Sequence, residues 1–265
     1  MDNQHIQVIV ATHKKYQMPA DPMYLPLHVG AEGKDLELGY TKDNTGDHIS
    51  ALNASFCELT GMYWAWKNLE ADYVGLVHYR RHFSTAHRIP RTEDKKFGVL
   101  LTGAQASSLL SQHDIILPAR RKYYIETLYD HYKHTMYIEP LDEAGKIIAE
   151  HCPDYLPEFE KLHQRTSAHM FNMFIMKREH FDHYCAWLFD ILFELHKRID
   201  PAQYDSFHAR YLGRISELLL DVWINTNGLS YTEIPLIDMQ NINWLKKGTS
   251  FLAAKFTGKK YGKSF

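Results

Sequence analysis

The chain is 265 residues long, enough for one large domain or two small ones. Its 30 Lys and Arg against 32 Asp and Glu give a formal net charge of −2, which excludes a protein that coats nucleic acid through a basic excess. With 45% apolar and 23% charged residues, wholesale disorder is excluded as well.

The opening segment, MDNQHIQVIVATHKKY, sets acid and amide residues before a short apolar run and lacks a small-residue cleavage site, so no secretory signal is expected. No apolar stretch approaches the ~18 residues of a membrane span. Cys57, Cys152 and Cys185 are too few and too scattered for a disulfide framework or a zinc site. A cytoplasmic protein is expected.

Ile6–Ala11 reads as a buried strand running into the polar Thr12–Lys15, a common opening for a nucleotide-binding α/β domain. A connector with Pro19, Pro22 and Pro26 leads to a second strand-like piece, Leu27–Ala31. Asp43–Asp47 has turn chemistry. Ile49, Leu52, Phe56, Leu59, Tyr63 and Trp66 then recur at helical spacing, and Asp47 or Ser50 could cap that helix. Asp72–Val77 is a buried strand ending in His78-Tyr79-Arg80-Arg81. Asp114–Pro118 is another, followed by Arg120 and Arg121. Strands alternating with helices predict an α/β fold with a largely parallel sheet.

The second half is mainly helical. Met170–Met176 is its one strand candidate, and two helices follow, one through Phe181, Tyr184, Leu188, Leu192 and Leu195, the other through Phe207, Tyr211, Ile215, Leu218 and Val222. No repeat or low-complexity linker interrupts the chain, so one domain over 1–245 is expected, followed by a basic aromatic tail over 246–265. That tail carries six lysines and no acid. It reads equally as a contact with an anionic membrane surface and as a solvated end.

Ligands of open α/β sheets gather beyond the carboxyl ends of the strands. His78, Tyr79, Arg80 and Arg81 fall there, and paired guanidiniums suit a diphosphate; the alternative is one arginine paired to a carboxylate and the other solvated. His78/His82 and His131/His134 have metal-ligand spacing, but Arg80, Arg81 and Lys133 repel a cation, so no metal site is expected. Glu217, set among apolar residues, is a candidate general base with Asp221 one turn on; the alternative is a helix-face pair with Arg214 or Arg210. Asn44 and Asp47 suit hydroxyl groups or a turn. His169 and Asn172, in an apolar run, need partners from backbone or ligand. GxSxG, GxGxxG and GxxxxGK[ST] are absent, which removes the usual serine hydrolase, dinucleotide and P-loop readings.

VATHKKY (10–16), DNTGDHIS (43–50), CELTGMYWAWKN (57–68), DYVGLVHYRRHF (72–83), YYIETLYDHY (123–132), SAHMFNMFIM (167–176) and GRISELLLDVW (213–223) together resemble bacterial capsular and exopolysaccharide biosynthesis glycosyltransferases of a family long catalogued as a domain of unknown function. The resemblance runs from about residue 6 to about residue 245. It implies a GT-A-like nucleotide-binding sandwich with a mainly helical C-terminal part, with Phe171–Met176 under sugar and acceptor and Glu217 as catalytic carboxylate. Such enzymes usually hold a metal through a DxD. This chain has none, and His78–Arg81 stands at the corresponding place.

The resemblance therefore implies metal-independent, inverting transfer of a hexosyl unit from a UDP-sugar to a lipid-linked or growing surface glycan. Galactose, its furanose form included, is the first donor expected, with no cofactor required. Thr12, His13, Gly30 and Ala31 would line the nucleotide pocket, and Asn44, Asp47 and Asn53 would add donor contacts. His169 and Asn172 would face the ligand, with Asp221 next in line to Glu217 as base. The alternatives are a Mg²⁺-dependent nucleotidyl or phosphosugar transferase and a non-catalytic nucleotide- or glycan-binding subunit of a synthase complex. The location implied is the cytoplasm, with peripheral contact at the inner face of the membrane.

Overall fold

The structure, a computed structural model, describes residues 4–86 and 88–240. The first half contains β1 (Ile6–Thr12), β2 (Tyr24–His28), β3 (Thr41–Lys42), α1 (Asn53–Phe56), α2 (Leu59–Asn68), β4 (Tyr73–His78), β5 (Arg81–Phe83), α3 (Glu93–Phe97), α4 (Gly103–Leu110) and β6 (Ile115–Pro118). The second contains β7 (Arg121–Lys122), α5 (Leu128–Thr135), α6 (Glu139–His151), α7 (Leu156–Glu160), β8 (Ser167–Ala168), β9 (Phe174–Lys177), α8 (Arg178–Arg198), α9 (Tyr211–Thr226), β10 (Tyr231–Ile234) and β11 (Leu236–Asp238).

The main sheet has the order β10-β6-β9-β4-β1-β2-β3, with β5 and β11 extending from β4. β1 is rich in β-branched residues because it is enclosed by parallel neighbours, β2 and β4, and covered on both faces. Alternation sorts its side chains. Ile9 and Ala11 join the larger core with α2, α6, α8 and α9. Val8 and Val10 join the smaller core with Ala106 and Leu110 of α4. The result is a sheet between two unequal layers, with most of the helical mass on one side.

The α/β class matches expectation, but the sheet is mixed. β9 is antiparallel to both of its neighbours, β4 and β6. The expected helix over Ile49–Trp66 is also interrupted. Cys57 takes φ +54°, outside the helical region, and separates α1 from α2. Neither expected cap forms there: the Ser50 hydroxyl donates to Asp43, and the Asp47 carboxylate accepts from the Tyr63 hydroxyl. β2 begins earlier than expected, at Tyr24, and includes Pro26. The proline is tolerated because β3 pairs only with Leu27 and His28, leaving β2 without a second neighbour at Pro26. The basic tail over 246–265 lies outside the described residues. Among the described residues no helix is long and apolar enough to cross a membrane.

The approach of β9 to β4 depends on Gly75. A Cβ there would lie 2.8 Å from the Phe174 carbonyl oxygen and 2.9 Å from the Ile175 side chain. Gly75→Ala is expected to destabilise the protein by about 1–3 kcal/mol through overpacking, measured as a shift in the urea midpoint. An unchanged midpoint would mean that the β4–β9 contact can relax.

Candidate active site

β1, β2, β4, β6 and β10 all run toward one edge of the sheet, and β9 starts from it. Strand ends therefore deliver Thr12–Lys14, Gly30–Ala31, His78–Arg81 and Arg120–Arg121 to the same side. The segment 169–173, which must turn into β9, joins them there.

The loop after β2 is fastened from within. Gly30 and Ala31 donate their backbone N–H groups to buried Asp43, at 2.7 and 3.0 Å. Thr60 donates to the same carboxylate at 2.6 Å, and Ser50 donates as well. Gly30 has φ +65°, and a Cβ on it would overlap the Asn53 side chain at 2.3 Å. Asn53 in turn donates to the Cys57 carbonyl at 2.6 Å. Thr12 is buried and closes a turn after β1 by donating to the Lys14 carbonyl at 2.7 Å. These residues shape the edge, and Asp43 consumes the two amides.

Cations crowd the same edge. β4 and β5 form a tight hairpin with Tyr79 and Arg80 as its turn. The Tyr79 ring receives His13 edge-on, with centroids 5.4 Å apart, and carries Lys14 Nζ at 5.1 Å and the Arg80 guanidinium at 5.3 Å. Partial burial and the charges of Lys14, Arg80, Lys34 and Arg210 push His13 below its ordinary pKa. Arg81 turns toward the other side, 3.5 Å from Asp238 and 4.4 Å from the Phe171 ring centre. Burial lowers the Arg81 pKa, with Asp238 opposing and Arg80 and Arg121 reinforcing the effect. Arginine stays charged regardless, so this crowding favours an anion that relieves the repulsion.

The turn into β9 is the strained part of the site. Phe171 and Asn172 have φ +76° and +53°, left-handed values that non-glycine residues seldom adopt. Each is pinned. The Phe171 carbonyl bonds His78 Nε2 at 2.6 Å, and its N–H donates to Glu217 Oε2 at 3.2 Å. Asn172 donates to Glu58 at 2.8 Å and to the Gly213 carbonyl at 3.2 Å, and accepts from Ser216 at 2.9 Å. Strain held by so many contacts is a mark of a functional site.

The two α9 carboxylates differ in kind. Glu217 has one oxygen on the Phe171 amide and the other 3.4 Å from Arg214, the helix-face pair foreseen as the alternative. Asp221 is locked in a buried network. It accepts from the His169 ring and from the His169 backbone N–H at 3.2 Å, and pairs with Arg120 at 3.2 Å. Arg120 also reaches Glu233 at 3.4 Å and Tyr231 at 3.0 Å, and His169 Nε2 lies 3.2 Å from Glu233. Burial raises the Asp221 pKa, but the His169 hydrogen bond and charge and the Arg120 charge outweigh it and leave it lowered. The structure thus joins Asp221 to His169 as a scaffold and leaves Glu217 nearer the open edge.

Other expected residues lie elsewhere. The Asn68 side chain, at the far end of α2 and away from the cationic edge, accepts from the Asp47 backbone N–H and donates to the Asp47 carbonyl. Asn44 donates to Glu32 at 3.2 Å. His131 and His134 both turn Nδ1 to buried Glu126, each at 3.2 Å, and so serve a loop rather than the edge. Among the described residues no group of three or more His, Cys, Asp or Glu is placed to hold a metal. Lys34 and Glu58 carried no signal in the sequence, and Lys14, Arg121 and Arg210 appeared there only in basic runs or as a helix-face partner, with no spacing that marks a site.

The profile of a family described as a domain of unknown function (DUF4422) matches residues 7–228. The solved apo structure of the WbbM bifunctional glycosyltransferase is similar to this chain, with a TM-score of 0.82 and 29% identity over 89% of the chain. The chain spans 46% of that structure's length. No curated protein matches.

The locked carboxylate has a measurable signature. Because the folded pKa of Asp221 lies below the ordinary 3.8, its stabilisation is full above that value and fades as pH falls through the lower folded one. Asp221→Asn leaves Arg120 short of a buried partner and is expected to cost about 3–5 kcal/mol at neutral pH. The variant should also lose the corresponding part of the acid-side slope in urea titrations between pH 5 and pH 2 or so. A slope identical to that of the parent would remove Asp221 as the seat of this network.

Proposed function

The chain belongs to the family described as a domain of unknown function (DUF4422), and we propose that it is a glycosyltransferase moving a hexosyl unit from a UDP-sugar to a growing or lipid-linked bacterial surface glycan. Galactose, as pyranose or furanose, is the donor sugar we favour. The observation that carries the reading is the cationic edge around Tyr79 in a chain of net charge −2. It lies on a fold similar to that of a bifunctional glycosyltransferase.

In this reading the nucleotide lies along Thr12, His13 and the Gly30–Ala31 loop, with its diphosphate against Arg80, Lys14, Lys34 and Arg210. Arg81 faces the reacting end. Glu217 removes the proton from an acceptor hydroxyl, whose oxygen attacks the anomeric carbon from the side opposite UDP. The bond from that carbon to the phosphate oxygen breaks, and UDP departs with the electron pair, giving inversion. Fixed cations stabilise the charge that grows on the leaving oxygen, so transfer proceeds without a metal. Asp221 holds His169, and His78, Glu58 and Ser216 hold the Phe171–Asn172 turn that presents its amide to Glu217. These are positioning residues.

Thermal shift with nucleotides and nucleotide sugars tests donor binding, since a ligand at a hundredfold excess over Kd stabilises by about 2.7 kcal/mol. A UDP-sugar shift that persists in excess EDTA is expected, and one abolished by EDTA would overturn the metal-independent clamp. A preparation that responds to no nucleotide would sink the transferase reading. Glu217→Gln should reduce turnover by roughly 10²–10⁴-fold while leaving the UDP shift in place. Near-normal turnover in that variant would exclude Glu217 as the base.

A further inference from the structure

Among the described residues with large exposed apolar side chains, Tyr124 and Ile125 are the pair that adjoin in sequence, 81% and 58% exposed. They occupy the loop between β7 and α5. Tyr124 has φ +56°, again in the left-handed region. The turn is held firmly on both sides. The buried Tyr123 ring lies on His131 with centroids 4.1 Å apart, and its N–H donates to the Thr166 carbonyl at 2.8 Å. The Ile125 N–H donates to the Tyr123 carbonyl at 2.6 Å. Next in sequence, the buried Glu126 carboxylate meets His131 and His134. Strained backbone kept by such a buttress fixes the direction in which the Tyr124 side chain leaves the chain.

This loop is continuous with the candidate active site. The Arg121 guanidinium lies 5.2 Å from the Tyr123 ring centre and 6.0 Å from that of Phe171. The Phe171 amide in turn bonds Glu217. The Tyr123 hydroxyl, pushed up to about 12 by burial, also responds to the charges of Arg121, Glu217 and Arg214.

We propose that Tyr124 and Ile125 form the surface on which the acceptor sugar lands, its C–H face stacked on the Tyr124 ring. The placement rests on the transferase reading, because an acceptor hydroxyl must approach Glu217. The chemistry of the surface points to a sugar. One face of a pyranose ring is lined with C–H bonds, and a rigid aromatic side chain covers it at small cost in conformational entropy. The Arg121 guanidinium, 5.2 Å from the ring centre of the neighbouring Tyr123, would donate to the hydroxyls at the ring's rim. The Tyr124 ring alone is comparable in size to one sugar ring, and two apolar side chains are too few to insert into a lipid surface, which takes a broader apolar face.

Saturation-transfer NMR on the full chain tests this, with methyl β-D-galactoside, methyl β-D-glucoside and methyl α-D-mannoside as probes. Transfer to the ring C–H protons of at least one glycoside is expected, with apparent affinity about tenfold weaker in Tyr124→Ala and restored in Tyr124→Trp. The UDP thermal shift of the same preparations reports on folding and on the donor pocket separately. Tyr124-dependent glycoside binding in a protein that ignores UDP would keep the sugar surface and discard the transferase reading. Three outcomes overturn the proposal: no glycoside binds the parent, Tyr124→Ala binds as the parent does, or Tyr124 governs only binding to phosphatidylglycerol vesicles.

Discussion

β9 enters the sheet against the direction of both its neighbours, so the chain must arrive at the edge where β4 and β6 end and turn sharply inward. That reversal brings Phe171 and Asn172 into left-handed conformations. Ordinary side chains do not hold such a shape unaided, and the surrounding residues supply the restraint. His78 from the end of β4, Glu58 from the start of α2, and Glu217 and Ser216 from α9 each bond the turn. Three other parts of the sequence, the end of β4, the start of α2 and α9, thus converge on the turn.

The buried carboxylates around the edge separate into two kinds. Asp43 and Asp221 are saturated by donors, and their work is to hold backbone and side chains still. Glu217 has fewer bonds: one oxygen accepts from the Phe171 amide and the other lies 3.4 Å from Arg214. The cations behave in the opposite sense. Lys14 and Arg80 lie over the Tyr79 ring, whose face attracts a cation without neutralising it, while Arg81 lies over Phe171 and also pairs with Asp238. Positive charge is thereby concentrated at one edge of a chain that has almost none to spare overall.

Much of the scaffold was legible because burial and periodicity coincide in it. β1, β4, α8 and α9 are long or strongly apolar, and their patterns leave one reading. What escaped was set by single backbone angles. Nothing in Ile49–Trp66 announces that Cys57 will leave the helical region, and nothing in Met170–Met176 fixes strand direction. In the site, Arg80, Arg81 and Glu217 could be singled out because charge at a strand end or inside an apolar stripe needs an explanation. Asp47 has the same local chemistry as Asp43, yet the fold carries it to the far end of α2. Lys34, Glu58 and Arg210 reach the edge from loops and helix ends, where one residue's position says little about its neighbours in space.

The Asp43 anchor has a thermodynamic consequence for whatever occupies this edge. Gly30 and Ala31 sit in a loop, where ordering on contact with a ligand would ordinarily subtract from affinity. Here four donors converge on one buried carboxylate, and Asn53 fills the space that a Cβ on Gly30 would need. The loop has already surrendered its freedom during folding. A ligand that meets it encounters a preformed wall, and the free energy of that contact is left to hold the ligand rather than to tame the protein.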